Sequence, residues 1–495
     1  MDNVTQTYGE RFDAVNKLTE ESAVQYTAES LTPAVINKYI ANNDTRANNL
    51  KKSYMRYTAK QVPIFSRQIG YLDDSGAVIA SPYKINRRNN NDFAGYIVRT
   101  KSSYITSNPV QVDLKMSEDV DSDIAMEAAQ KKHREVSNAI DQFKKNTNWN
   151  SLVTTTAETI GGTGEGCWIM SYVDGEEMIN HVMPWEIIEV IPNKLYIRYF
   201  SQYDINLDVY SYIEVYDDTK IITYKTSGKM PQAGGDSTVY ENLYRTCPVI
   251  MFKNNEEKQS DFFNVESLID QYDRTMSDIA SEVEQFRLAY LVFTGFQADE
   301  IEVQKFQQTG VFQIKKEGGK AEFITKKLDI GGVLELLERI EKNIIRFAES
   351  FDSVSENYTG NLTNFAIHFK MAPMKGRAKK TANFMKAGFY RAFECLEKSF
   401  AAKNINFNHY DLIFTFKFDD AKNIKEEIDM FIGAGGKLSN ETLLNNLSII
   451  DSPQNEIERI QREAEYAVIP ETEEANTAKK PAATIIKDTN NDEEL

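Results

Sequence analysis

Two narrow apolar seams, separated by a short strand-like insert, dominate the hydrophobic pattern between Ser260 and Phe351. The first runs Val265, Ile269, Tyr272, Met276, Ile279, Val283, Phe286 and Tyr290, in alternating steps of four and three. The second runs Ile330, Val333, Leu337, Ile340, Ile344, Phe347 and Phe351 in the same rhythm. Such spacing puts a thin stripe on one side of a helix and leaves the rest polar, as in coiled coils and helix bundles. An antiparallel pair can bury these two stripes against each other and nothing else. Phe262, Leu268, Leu288, Leu334 and Leu336 lie off the stripe, so each helix is expected to have a second neighbour, from this or another copy of the chain.

The remaining chain alternates between helical and strand-like blocks. Residues 1–30 are polar and mixed in charge, an expected loose arm. Leu31 opens a helical stretch with Pro33 in its first turn, and a second helix is expected at about 45–58. Asp74-Ser75-Gly76 signals a hairpin; a helix is expected from Asp92 to Ser103, and helices again over 118–160. Short β-branched and aromatic runs over 167–251, broken by turns such as Val173-Asp174-Gly175, predict an antiparallel sheet. Between the seams, residues 291–328 alternate like strands around Gly318-Gly319, and 352–366 reads as a polar loop. A long helix follows over about 365–402, with a kink expected at Pro373 and Gly376. The run at 412–418 is a lone strand expected to return to the earlier sheet. Short helices are expected over 422–466, one with Ser439 as N-cap, and a disordered tail from about Pro470.

Composition narrows the functional classes. A chain of 495 residues, 41% hydrophobic, can bury a sizeable core in two or more substructures. A formal net charge of −17 argues by itself against a high-affinity nucleic-acid binder. Cys167, Cys247 and Cys395 are odd in number and far apart, so neither a disulfide framework nor a zinc site follows and a reducing compartment is expected. The first residues lack the pattern of a signal peptide, and no run approaches the ~18 apolar residues of a membrane span. A soluble protein made inside a cell, without a membrane partner, is the expectation.

Candidate chemistry is sparse. The run Gly161-Gly162-Thr163-Gly164-Glu165-Gly166 invites a phosphate-loop reading. A helix precedes it, a strand follows, no Lys closes it and Glu165 would repel phosphate, so a flexible helix-to-strand turn is expected instead. His133, His181, His368 and His409 show no metal-ligand spacing, and no nucleophile signature appears; neither cofactor nor catalytic residue is expected. One basic cluster stands out. Lys375, Arg377, Lys379, Lys380, Lys386 and Arg391 fall within seventeen residues that contain no acid. The cluster could meet backbone phosphates, or pair with acidic groups of a neighbouring subunit.

The segment 247–286 resembles a hallmark of the portal proteins of long-tailed phages of Gram-positive bacteria. It carries Pro248, the turn Asn254-Asn255-Glu256, Leu268-Ile269-Asp270 and Tyr272-Asp273. Asn86-Arg87 with Asn108-Pro109, the stretch 173–188 and the stretch 437–465 resemble further portions of that family in the same order, so similarity extends over about 31–466. Two other readings stay open at this level: an enzyme using the glycine run, and a non-portal coiled-coil structural or scaffolding virion protein.

The resemblance implies an α+β portal fold. Its parts would be an N-terminal arm (1–30), a wing of helices and antiparallel sheet (31–259), stem helices (260–290 and 329–350), a clip between them (291–328), a tunnel loop (351–366), the wing's long helix and returning strand (367–420), a crown (421–466) and an acidic tail (467–495). It implies a homo-oligomeric ring, typically of twelve, at one capsid vertex of the virion, assembled in the host cytoplasm. Double-stranded DNA would pass through it without sequence readout. The terminase large subunit, major capsid and scaffolding proteins and a head-completion adaptor would be partners. Under this reading Asn357, Tyr358, Asn361 and Asn364 belong to the tunnel loop, and Lys375, Arg377, Lys379 and Lys380 are candidates to face DNA. Lys315, Lys316, Glu317 and Lys320 sit in the clip, where terminase and adaptor would dock. The stem seam would drive assembly.

Overall fold

The computed structural model describes residues 27–73, 75, 78–80, 85–115, 123–228, 231–234, 237–286, 290–294, 320–324, 331–352 and 364–418, with shorter pieces between 431 and 461. The chain divides into a unit of residues 1–419 and a unit of residues 420–495. The architecture is α+β.

In the first unit, α1 (Pro33–Tyr57) runs without a break through both expected early helices. No Gly or Pro interrupts it, and Pro33 occupies its first turn, where a missing N–H costs nothing. Strands β1 (Gly70–Leu72) and β2 (Val78–Ala80) form the expected hairpin. Helix α2 (Phe93–Ile105) is capped by Asp92, whose carboxylate accepts the Gly95 amide at 3.1 Å. Next come β3 (Gln111–Leu114), α3 (Asp123–Asn146) and α4 (Trp149–Thr163).

The predicted sheet over 167–251 is two sheets. Strands β4 (Glu165–Val173) and β5 (Glu176–Val182) make a hairpin, after which a 3-10 turn at Pro184–Glu186 carries the chain into a second layer. There β6 (Ile187–Ile191), β7 (Leu195–Tyr203), β8 (Val209–Tyr216), β9 (Lys220–Ser227) and β10 (Ser237–Glu241) form an antiparallel meander. Strand β11 (Val249–Lys253) then returns to the free edge of β4. Period-two alternation separates the faces of the meander. Ile197, Ile213, Val215 and Ile222 pack with Ile36 and Ile40 of α1, whereas Tyr196 and Tyr216 pack with Cys167, Ile169 and Val249 of the three-stranded sheet.

Helix α5 (Glu266–Phe286), strands β12 (Tyr290–Thr294) and β13 (Lys320–Ile324), and helix α6 (Gly331–Phe347) build the helix pair and its insert. Tyr290, assigned by its spacing to the first seam, opens β12 instead, and a short turn with a 3-10 helix at Phe263–Val265 precedes α5. The strand pattern at 311–316 lies outside the described residues. Helix α7 (Asn364–Ala402) is continuous through Pro373 and Gly376. The carbonyl that loses its helical partner to Pro373 belongs to Phe369, an exposed residue. Strand β14 (Leu412–Thr415) does not rejoin the 167–251 sheets; it pairs antiparallel with β3. The main core lies between these layers, where Trp149, Trp168, Phe389, Phe393 and Phe414 meet ring to ring. In the second unit, Ser439 Oγ accepts the Thr442 amide at 3.2 Å and caps α8 (Asn440–Asn445) as expected.

Candidate functional site: the root of the helix pair

The two seams meet within one chain. Val265, Ile269 and Tyr272 of the first pack with Leu337, Ile340 and Ile344 of the second, and Tyr57, Ala94, Ile97 and Val98 close the cluster. Helix α5 thus has a second neighbour in the chain's own α2. Burial fades along the first seam: Met276 and Ile279 are half-buried and Val283 is exposed. Leu334, Leu336 and Phe347 of α6 are also exposed. The root of the stripe is a subunit's core, and among the described side chains Val283, Leu334, Leu336 and Phe347 are left exposed for another contact.

An extended strap, residues 86–91, runs along α5. The Asn91 amide donates to Asp273 Oδ1, the Asn89 amide to Ser277 Oγ and the Arg87 amide to Ser281 Oγ, each at 2.9 Å. Acceptors four residues apart on a helix rise about 6 Å, the span of two extended residues, so alternate strap amides find successive helical turns. Ion pairs flank the strap, joining Arg56 to Asp270, Arg67 to Asp278 and Arg87 to Glu284. Asp273 is buried, which pushes its carboxyl up against the lowering effect of the Asn91 bonds.

At the base of the pair a buried charge cluster joins four elements. Lys101 Nζ of α2 donates to Asp261 Oδ1 and Asn254 Oδ1, both at 2.6 Å, and to Thr381 Oγ1 of α7 at 3.1 Å. Arg377 of α7 donates through Nη2 to Asp261 Oδ1 at 2.9 Å and through Nη1 to the Ala348 carbonyl, just past the end of α6. One guanidinium therefore grips the start of α5's approach and the end of α6, which fixes the pair as antiparallel. The Lys101 and Asp261 side chains are 4% and 0% exposed. Burial pulls the Lys101 ammonium down from its ordinary 10.5 to about 8, and Arg377 adds to that while Asp261 opposes it.

The glycine run is the seat of this cluster. The Gly161 carbonyl accepts the Asp261 amide at 2.8 Å and the Gly164 carbonyl accepts the Asn254 amide at 2.9 Å. A Cβ at Gly161 would lie 2.7 Å from Asp261 Oδ2; at Gly164, where φ is +93°, it would lie 2.0 Å from the Lys258 carbonyl. The run is the helix-to-strand turn expected, but it is packed rather than flexible, and no phosphate could enter it.

The basic cluster divides. Arg377 is held in the root, and Arg391 pairs with Glu394 and donates to the Asn193 carbonyl. Lys375, Lys379 and Lys386 lie 5.8, 5.9 and 6.0 Å from the rings of Tyr104, Phe418 and Phe416, and Lys380 is exposed. These rings stack in a row, Tyr104 on Phe418 at 5.1 Å and Phe418 on Phe416 at 6.4 Å. Asn357, Tyr358, Asn361, Lys315, Lys316 and Glu317 lie outside the described residues. Asn364 is the first residue of α7, so the expected loop ends before it, and exposed Lys320 opens β13. Among the described residues no group of three or more His, Cys, Asp and Glu could hold a metal ion, and no helix is long and apolar enough to cross a membrane.

Sequence reasoning missed Lys101, Thr381 and the strap acceptors. Only the four-residue spacing of Asp273, Ser277 and Ser281 on one side of α5 could have flagged any of them.

The family model described as phage portal protein, SPP1 Gp6-like, matches residues 36–469. The portal protein of Bacillus phage SPP1 is 22% identical over 477 residues, covering 91% of this chain and 90% of its own length. The portal protein of Clostridium phage phiCD119 is 22% identical over 309 residues, covering 57% of this chain and 65% of its own length. The matched span includes the strap, the glycine run, the helix pair and the long helix, and the chain belongs to the phage portal protein family, SPP1 Gp6-like.

Proposed function

We propose that this chain is the subunit of a closed ring, twelve copies in number, at one vertex of a phage capsid. The ring is a conduit for double-stranded DNA during packaging and ejection. The terminase large subunit docks on it first and a head-completion or tail-adaptor protein later, and it contacts the major capsid and scaffolding proteins. It assembles in the host cytoplasm before entering the virion. In this reading α5 and α6 are the stem, the insert between them the clip, the segment before α7 the tunnel loop, α7 with the two sheets the wing, and residues 421–466 the crown. The observation that carries the reading is the family match, which spans residues 36–469. Lys375, Lys379 and Lys380 are the proposed phosphate contacts; Arg377, held in the root, positions the stem. A mostly acidic lumen with few cations lets DNA slide, because each neutralised phosphate adds affinity that a twelve-fold ring multiplies.

The test is negative-stain microscopy of the purified protein together with DNA binding across a salt series. Closed rings with a central hole, and weak binding without sequence preference that disappears as salt rises, are expected. Monomers at every concentration, also with capsid or scaffolding protein present, would overturn the reading.

A further inference from the structure

The hairpin joining β7 to β8 ends in an apolar tip with no partner in the described chain. Tyr203, Ile205 and Leu207 are 61%, 100% and 78% exposed. The tip is nevertheless built. Asp204 Oδ1 accepts the amides of Asn206 and Asp208, both at 2.8 Å, and the Asp204 amide donates to the Asp208 carbonyl at 2.9 Å. Leu207 is held at φ +65°, a left-handed conformation that an L-residue disfavours. A fixed turn that displays apolar side chains at a disfavoured backbone angle gains nothing for its own fold, and such features mark contact sites.

The far half of α1 carries a matching recess of about 960 Å³. Buried Leu50 and Val62 line it with Phe65 and Phe263, which are 41% and 52% exposed, and exposed Lys52 and Lys60 are among its cations. Of its two acids, Glu165 is already paired with Arg46 and Lys258, and Glu266 lies in the field of Arg56, so Lys52 and Lys60, unpaired among the described residues, set the charge at its rim. An apolar tip flanked by Asp204 and Asp208 thus complements an apolar recess flanked by lysines.

The two cannot meet within one subunit. The tip lies beside Gly228, whose amide donates to Val209, and the neighbouring Ala233 is bonded to Asn37 near the start of α1. The recess begins at Arg46 and runs past Arg56 to Phe65, from about 14 Å to beyond ~28 Å further along the helix, with Phe65 and Phe263 on its lining past that end.

We propose that Ile205 and Leu207 of one subunit seat between Phe65 and Phe263 of the next copy of this chain, with Asp204 and Asp208 facing Lys52 and Lys60. Knob and recess are different surfaces, so the contact is head-to-tail and repeats around a ring. The inference rests on the ring reading above.

The experiment uses the full chain. Cys167, Cys247 and Cys395 are buried, which leaves a clean background for cross-linking. Protein carrying Leu207→Cys with Phe263→Cys, oxidised at assembly concentration, should run as covalent multimers under non-reducing conditions, whereas either single variant should remain monomeric. Ile205→Asp with Leu207→Asp should keep the wild-type melting transition and lower the ring fraction at least tenfold. Micrographs of the same samples separate the two readings. Closed rings without multimers from the double-cysteine variant overturn the docking and leave the ring intact; multimers from Leu207→Cys alone mean tip-to-tip contact and overturn it too. Wild-type protein that forms no ring removes the ring reading, and the cross-link still decides the contact.

Discussion

Lys101 and Arg377 face one buried carboxylate, so the cluster holds two cations and one anion while Lys101 is charged. Removing the anion leaves two cations unbalanced in the interior, whereas removing Lys101 leaves a matched pair. Asp261→Ala should therefore cost about 3–5 kcal/mol in urea unfolding, and Lys101→Met distinctly less; equal costs would refute this charge arithmetic. The pH dependence follows from the lowered Lys101 group. Below about pH 8 it is charged folded and unfolded. Between about 8 and 10.5 the unfolded chain holds a proton that the folded chain has released, so stability rises with pH across that window. Melting curves should show the wild type gaining on Lys101→Met there, and a constant difference would contradict the assignment. The buried thiols behave more simply: burial pushes Cys247 and Cys395 up to about 12 and Cys167 higher still. None should react with a thiol reagent at pH 8 until the protein unfolds.

At the scale of elements, the strap and the glycine seat tie the helix pair to the body of the subunit. Ser277 is fully buried and accepts the Asn89 amide. Ser277→Ala strands that N–H, at a cost of about 1–3 kcal/mol, and amide exchange at Asn89 should quicken relative to β4, which shares no bond with it. Gly164→Ala meets both a left-handed φ and a backbone carbonyl, which cannot swing away as a side chain can. Its cost should exceed that of Gly162→Ala, where the obstacle is the ring of Tyr57. The long helix offers another contrast. Replacing Lys375, Lys379 and Lys380 by Gln should leave the unfolding transition in place. The salt slope of DNA binding should fall by up to about 0.9 for each phosphate that these lysines neutralise. Arg377→Gln should instead destabilise the subunit, since it releases both helix ends at once.

For the whole molecule, the intrachain burial of the seams changes what an assembly mutation tests. Ile340 is 4% exposed in the subunit core. Ile340→Asp buries an unpaired carboxylate and should abolish the cooperative unfolding of the subunit itself. Leu334 is exposed, so Leu334→Asp should leave the folded subunit, read by circular dichroism, and reduce only the ring population. At 56.5 kDa per chain, a ring of twelve should appear near roughly 680 kDa by mass photometry.

The helix pair, the long helix, α2, the Ser439 cap of α8 and the family itself were legible from sequence, because a 3.5-residue stripe, a capping Ser and a run of motifs are local patterns. Partnership was not. β14 reads as a strand, but its pairing with β3 joins residues about 300 positions apart, and nothing in either run specifies the other. Arg377 and Lys380 look alike in a basic stretch. Three positions along a helix leave the two side chains on much the same side, about 60° apart, and only the folded chain sets one against Asp261 and the other against solvent. The glycine run likewise announces a turn, while the reason for its glycines, the close passage of the Asn254–Asp261 loop, exists only once distant segments have met. Local periodicity decides which elements form. Which elements touch depends on shape and buried charge that no short stretch of sequence contains.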